Sequence, residues 1–174
     1  MRAVCGRSGC KEDYYADRAT RDYPLGVHCG SMLGKIRDMF TFEGLAYACY
    51  DYPEMVEDMV ETACVLVEDY LDQVLGKIDF DYASGWEDIC FKNGPIVSVE
   101  FFKRVVMPRY KRIHKKLREA GIDIWYTDCD GDVRPILPYF LEGNTFCDHR
   151  CPPNVKPEDY LYYLDLKEEL FGMK

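Results

Sequence analysis

The sequence predicts an α/β protein built on a parallel sheet with flanking helices. Three observations carry that expectation. Short β-rich runs alternate with long helical stretches. The helical stretches show apolar residues at spacings of three and four. Glycine or proline stands where each element should end. Strand, helix, strand, helix in steady alternation means parallel strands joined by crossover helices.

Residues 1–22, at the start of the chain, are polar, with Gly6, Gly9 and many charges, and read as a poorly ordered lead-in or the remnant of a longer upstream segment. Tyr23–Gly30 is a short apolar run closed by glycine, read as a buried strand. Gly34–Tyr50 is helical in composition. In the next helix Asp51 and Glu54 can form a capping box around Pro53, which suits a first turn. Val56, Val60, Ala63, Val67, Tyr70 and Val74 then make one apolar stripe, and Gly76 stands at its C-terminal end. Ile78–Trp86 is a second strand, and Gly94 and Pro95 mark a loop. Ser98 suits the N-cap of a helix starting at Val99. In that helix Phe102, Val105, Ile113, Leu117 and Ala120 face inward, Pro108 should kink or interrupt it, and Gly121 ends it. Ile122–Tyr126 is a third strand, Arg134–Leu141 a short helix, and Asn144–Cys147 the start of a fourth strand. Pro152, Pro153 and Pro157 break regularity before a last helix over 158–171. Three or four strands are half of a (β/α)₈ barrel, which takes about 250 residues; an open parallel sheet accommodates the same count.

Composition bounds the function. With 174 residues, 48% hydrophobic and 30% charged, the chain is long enough for a core and unlike a disordered one. No run approaches a membrane span, and residues 1–15 lack the apolar core of a secretory signal, so the expectation is a cytoplasmic protein with no membrane role. A net charge of −9 argues against duplex nucleic acid. The eight Lys and Arg residues between Lys103 and Arg118 read as a solvated helix face. Nine cysteines, an odd number without a signal, do not suggest a disulfide framework. Cys49 and Cys64 read as small buried hydrophobes. Cys5, Cys10, Cys147, Cys151 and His149 offer zinc-ligand chemistry, without the tight spacing of a zinc motif.

In a parallel α/β architecture ligands bind at the carboxyl ends of the strands. Three clusters fall there: His28 to Ser31, Trp86-Glu87-Asp88 with Lys92 nearby, and Thr127 to Asp132. Each has a plainer alternative. Asp130-Gly131 suits any tight turn, Glu87 and Asp88 could cap a helix, and His28 could be a hydrogen-bonded structural residue. The DCDGD run lacks the Glu of a calcium loop, Tyr139 standing at that position. The glycines from 26 to 34 match no phosphate-loop signature.

Asp81–Pro108 (DYASGWEDICFKNGPIVSVEFFKRVVMP) and Tyr126–Leu141 (YTDCDGDVRPILPYFL) resemble, in that order, segments of the uroporphyrinogen decarboxylase family. There a strand ends in a "W-E-D" motif, a "G-P-(hydrophobic)-S-P-E-F-F" loop opens a helix, and a "D-x-D-G" segment comes next. Gly30–Pro53 is similar to the preceding unit, so the resemblance spans residues 23 to about 150. It implies a partial (β/α)₈ barrel over 23–150 with a divergent tail over 151–174. It also implies a small-molecule substrate (a tetrapyrrole, a corrinoid or a methyl donor) for a decarboxylase or a corrinoid-linked methyltransferase.

On that resemblance the catalytic candidates are Glu87, Asp88 and Asp130. The substrate-binding candidates are His28, Trp86, Lys92, Ser98 and Asp128. The methyltransferase branch uses zinc bound by a His-x-Cys motif; the corresponding positions are Thr127-Asp128-Cys129, which leaves Cys129 as the expected metal ligand. The decarboxylase branch needs no cofactor, and its N-terminal arginine-rich motif and early aspartate have no counterpart here. Leu141–Cys147 shortens the family's usual passage, which suggests a fragment or truncated gene product. Such a half barrel is expected to self-associate as a dimer, to bind a tetrapyrrole without turnover, or to be inactive.

Overall fold

A computed structural model describes residues 19–142 and the backbone of 145–148. The expected 151–174 tail, nearly all of the 1–22 lead-in and the side chains of the Cys/His group at the two ends lie outside the described residues. The class is mixed α/β around a parallel sheet. Four strands, β1 (Gly26–His28), β2 (Tyr82–Trp86), β5 (Trp125–Asp128) and β6 (Thr145–Asp148), pair side by side in chain order, each parallel to the next. A short antiparallel hairpin, β3 (Cys90–Phe91) with β4 (Gly94–Pro95), stands apart from that sheet where the sequence suggested only a loop.

Strand alternation gives the sheet two unlike faces. Val27, Ala83, Trp125 and Thr127 are buried on one. Trp125 packs there against Tyr110, ring centres 5.0 Å apart, and against His114. The other face carries His28, Tyr82, Ser84, Trp86, Tyr126 and Asp128, none of them fully buried, with Tyr82 and Tyr126 stacked at 5.9 Å.

The helices are α1 (Gly34–Asp51), α2 (Pro53–Val74), α3 (Val99–Phe101), α4 (Met107–Glu119) and α5 (Leu137–Glu142). Helix α1 is broken at Thr41, whose φ of 69° is far from helical. The Thr41 hydroxyl accepts from the Gly44 N–H (3.3 Å), so it caps the second half of the helix. The capping box expected at Asp51 and Glu54 does not form: α1 runs through Asp51, leaving only Tyr52 between helices, and no side chain caps α2. On α2 the fully buried positions are Val56, Val60, Cys64 and Leu71, and Tyr70 is exposed, so the stripe is rotated toward Leu71. Gly76 takes a φ of 77° just past the end of α2, as a C-terminal glycine should.

Ser98 caps α3 as expected, its hydroxyl accepting from Phe101 N–H at 3.1 Å. The chain then makes one π-helical stretch, Phe102–Val106, and continues as α4 with Pro108 at its start. A wide turn before a proline relieves the clash and missing donor that the ring brings. Phe102, Val105, Ile113 and Leu117 are buried as read, whereas Ala120 at the helix end is exposed.

The basic stretch has partners. Arg104 and Arg109 bind Glu57, Arg109 and Arg112 bind Glu61, Arg112 also binds Glu68, and Lys116 binds Asp72. This ladder clasps α2 to α4. Arg104 holds the Glu57 carboxyl below its usual range, and Arg112 does the same for Glu61. Arg21, at the end of the stretch read as a lead-in, is tied to Asp81 at the foot of β2. Among the described residues no helix is long and apolar enough to cross a membrane.

Candidate functional site

The parallel register brings the carboxyl ends of β1, β2 and β5 together. His28 stands beside Ser84, and Trp86 beside Asp128. The segments that follow β2 and β5 stay joined past the strand ends, because Glu87 N–H donates to the Asp128 carbonyl at 2.8 Å. The residues just past the strand ends therefore share one rim.

Asp88, Asp128 and Asp130 meet on it. One oxygen from each lies within 4.8 Å of the others; Asp88 and Asp128 are half-buried and Asp130 is exposed. Asp88 Oδ1 accepts from the Asp130 N–H at 3.1 Å. Asp88 itself has a φ of 45°, a left-handed backbone that Asp tolerates better than most residues. Gly131 makes the neighbouring turn possible: its φ is 93°, and a Cβ there would lie 2.6 Å from the Cys90 carbonyl.

Glu87 points the other way. Its side chain is fully buried. Oε1 accepts from Met32 N–H (2.8 Å) and the Tyr110 hydroxyl. Oε2 accepts from Leu33 N–H (2.8 Å), Gly34 N–H (2.9 Å) and the Ser31 hydroxyl (3.2 Å). Every partner is a donor, and three are backbone groups opening α1, where a negative charge also meets the favourable end of the helix dipole. Burial nonetheless pushes the Glu87 carboxyl above its usual range, against the pull of these bonds. Burial first, then the Glu87 charge, pushes the Tyr110 phenol well up. Of the two sequence readings of Glu87, a catalytic carboxylate or a helix cap, the hydrogen bonds match the cap, of a helix more than fifty residues away in the chain.

The remaining candidates surround this centre unevenly. Trp86 is half-buried, with Lys35 Nζ 5.5 Å and Arg37 Cζ 5.6 Å from its ring centre. His28 is exposed and its Nδ1 hydrogen-bonds the Ser84 hydroxyl at 3.1 Å. Partial burial, then Lys35, lowers its pKa. Lys92 is exposed at the turn of the β3–β4 hairpin, and Ser98 is exposed with its hydroxyl engaged as the α3 cap. Cys129 is fully buried with its thiol 3.8 Å from the Asp130 carbonyl.

Three carboxylates offer oxygen donors, the set that hard divalent cations take. The zinc of methyl-transfer chemistry needs a different set. Among the described residues the Cys129 thiol lies outside the group formed by the three aspartates. The described donors do not fit such a zinc site. Sequence reasoning missed Tyr110, Arg37 and the backbone donors of Met32 to Gly34, although Ser31 stood in one of its strand-end clusters. Tyr110 at a buried helix position looks like any core aromatic, and only its hydroxyl's need for a partner signals more.

No family model, no curated protein and no solved structure matches this chain.

Proposed function

We propose that the chain carries the substrate rim of a uroporphyrinogen decarboxylase-like (β/α)₈ barrel and binds a small molecule at the carboxyl ends of its strands. The observation that carries this reading is the convergence of Asp88, Asp128 and Asp130, three carboxylates from two strand ends, on one rim. The half-exposed sheet face leading to them also supports it. That face bears Tyr82, Tyr126, Trp86 and His28, aromatic and polar groups suited to a flat ligand with polar edges. Within this reading Asp88, Asp128 and Asp130 orient the substrate or exchange protons with it. Trp86 and His28 contact it, and Glu87 belongs to the scaffold. The three carboxylates are compatible with either side of the family, decarboxylase or corrinoid-linked methyltransferase, and the reading keeps both.

Titration with uroporphyrin and, separately, with a cobalamin tests this through the ligand's visible bands. Saturable perturbation by uroporphyrin in the wild type, lost in Asp88→Asn/Asp128→Asn, is the expected result. No perturbation by either ligand refutes the reading. Perturbation by the cobalamin alone transfers it to the corrinoid branch.

A second reading comes from the half-exposed face, because parallel sheets are ordinarily covered on both sides. The rim would then be completed by a second half barrel in a dimer, with binding but no turnover. Light scattering on the purified chain separates the two: a monomer that still binds uroporphyrin removes this alternative.

A further inference from the structure

We propose that Glu87 is a positioning residue, which by clamping the start of α1 holds Asp88 against Asp130. The inference rests on the rim being the ligand site for its purpose, though not for its test.

The contacts form a closed circuit. Glu87 binds the Met32, Leu33 and Gly34 N–H groups and the Ser31 hydroxyl. The Ser31 hydroxyl in turn accepts from Lys35 N–H at 3.1 Å, within the first turn of α1. Less than one turn further, Arg37 reaches back and donates to the Asp88 carbonyl at 2.7 Å. Asp88 then receives the Asp130 N–H on its carboxylate, and Asp128 receives the Glu87 N–H on its carbonyl. The start of α1, the end of β2 and the end of β5 are thus locked around one buried carboxylate.

The fit leaves little slack. A Cβ on Gly34 would lie 2.5 Å from the Glu87 carbonyl oxygen and 2.6 Å from both the Ser31 hydroxyl and the Trp86 ring. With five donors facing it, position 87 calls for a side chain that only accepts. Glutamine there keeps the shape but turns an amide NH₂ toward at least one of those donors. Arg37 carries the constraint from α1 back to Asp88, whose φ of 45° is unusual enough to need such support.

The test is amide hydrogen exchange by NMR on the ligand-free chain, comparing wild type with Glu87→Gln and Arg37→Met. In Glu87→Gln the Met32, Leu33, Gly34 and Asp130 amides are expected to exchange roughly tenfold or more faster. Amides in α2, clasped by the ladder, should keep their wild-type rates. A residue that merely caps α1 would accelerate residues 32–34 and leave Asp130 untouched; that outcome overturns the proposal, as do unchanged rates at 32–34. Arg37→Met alters a half-buried contact and leaves the buried Glu87 cluster intact, so it serves where Glu87→Gln does not fold. It should accelerate Asp130 with residues 32–34 unchanged, and an unaltered Asp130 amide again overturns the proposal. Because no ligand is added, failure here leaves the substrate reading standing, and failure to bind uroporphyrin leaves this circuit standing.

Discussion

Replacing Tyr110 with phenylalanine removes one oxygen and leaves the ring packing against Trp125 and Phe140 in place. The buried Glu87 carboxylate then loses a donor, and nothing of similar chemistry takes its place. Hydrogen bonds to charged groups contribute about 1.5–3 kcal/mol. At about 2–4 °C per kcal/mol for a chain of this size, the melting temperature should fall by roughly 3–12 °C near neutral pH. The effect also has a sign in pH. Burial holds the Glu87 carboxyl above its usual value, so the ionised group costs stability as pH rises through that value. The Tyr110 bond opposes this rise, so its loss raises the carboxyl further. Tyr110→Phe should therefore destabilise more at about pH 8 than at about pH 4, where Glu87 is protonated in both proteins. Thermal melts by circular dichroism at the two pH values measure the difference. An unchanged or higher melting temperature near pH 8 would refute the hydrogen bond and the charge assigned to Glu87.

The same contacts make further predictions. Gly34→Ala places a methyl into backbone and ring atoms, and denaturant titration should record a loss of about 1–3 kcal/mol. Gly131→Ala meets the Cys90 carbonyl at 2.6 Å from a φ of 93°, and a comparable loss is expected together with weakened uroporphyrin binding. Arg112→Gln cuts two rungs of an exposed ladder and should cost no more than about 1 kcal/mol, a loss that shrinks in high salt. Glu57 and Glu61 are held below the usual carboxyl range, so their contribution is present above it and is lost as pH falls through their folded-state values. In Arg112→Gln that acid-side loss should be smaller than in the wild type, and melts between about pH 6 and about pH 3 would reveal any failure of this sign.

Much of the fold was legible because it is local. The α2 stripe, Gly76 at its end, the Ser98 cap and the strands near Tyr82 and Trp125 each depend on residues a few positions apart. The errors were local signals overruled by neighbours. Asp51 and Glu54 spell a capping box, yet α1 continues through Asp51 and absorbs the first of them. Pro108, by contrast, marks its place correctly: the α-helical pattern is interrupted by a π-helical stretch over Phe102–Val106 just before it. Glycine and proline at 94 and 95 spell a loop, but their backbone pairs with Cys90 and Phe91.

The site was legible only in outline. That Trp86, Asp88, Asp128 and Asp130 share a rim accords with strand ends being where parallel sheets gather function. That Glu87 could cap a helix was legible, but not that the helix is α1, whose donors at 31–34 lie more than fifty residues away. The basic stretch from Lys103 to Arg118 is largely the solvated face it reads as, and what the sequence left unsaid is that α2 supplies it with acidic partners at 57, 61, 68 and 72.

The most direct test of the central claim is an amide chemical-shift map of the isotopically labelled chain titrated with uroporphyrin. A ligand site at the strand carboxyl ends predicts saturable shifts at His28, Trp86, Asp88, Asp128 and Asp130, with α2 undisturbed. Shifts confined to the α2–α4 ladder, or none at saturating ligand, would contradict it.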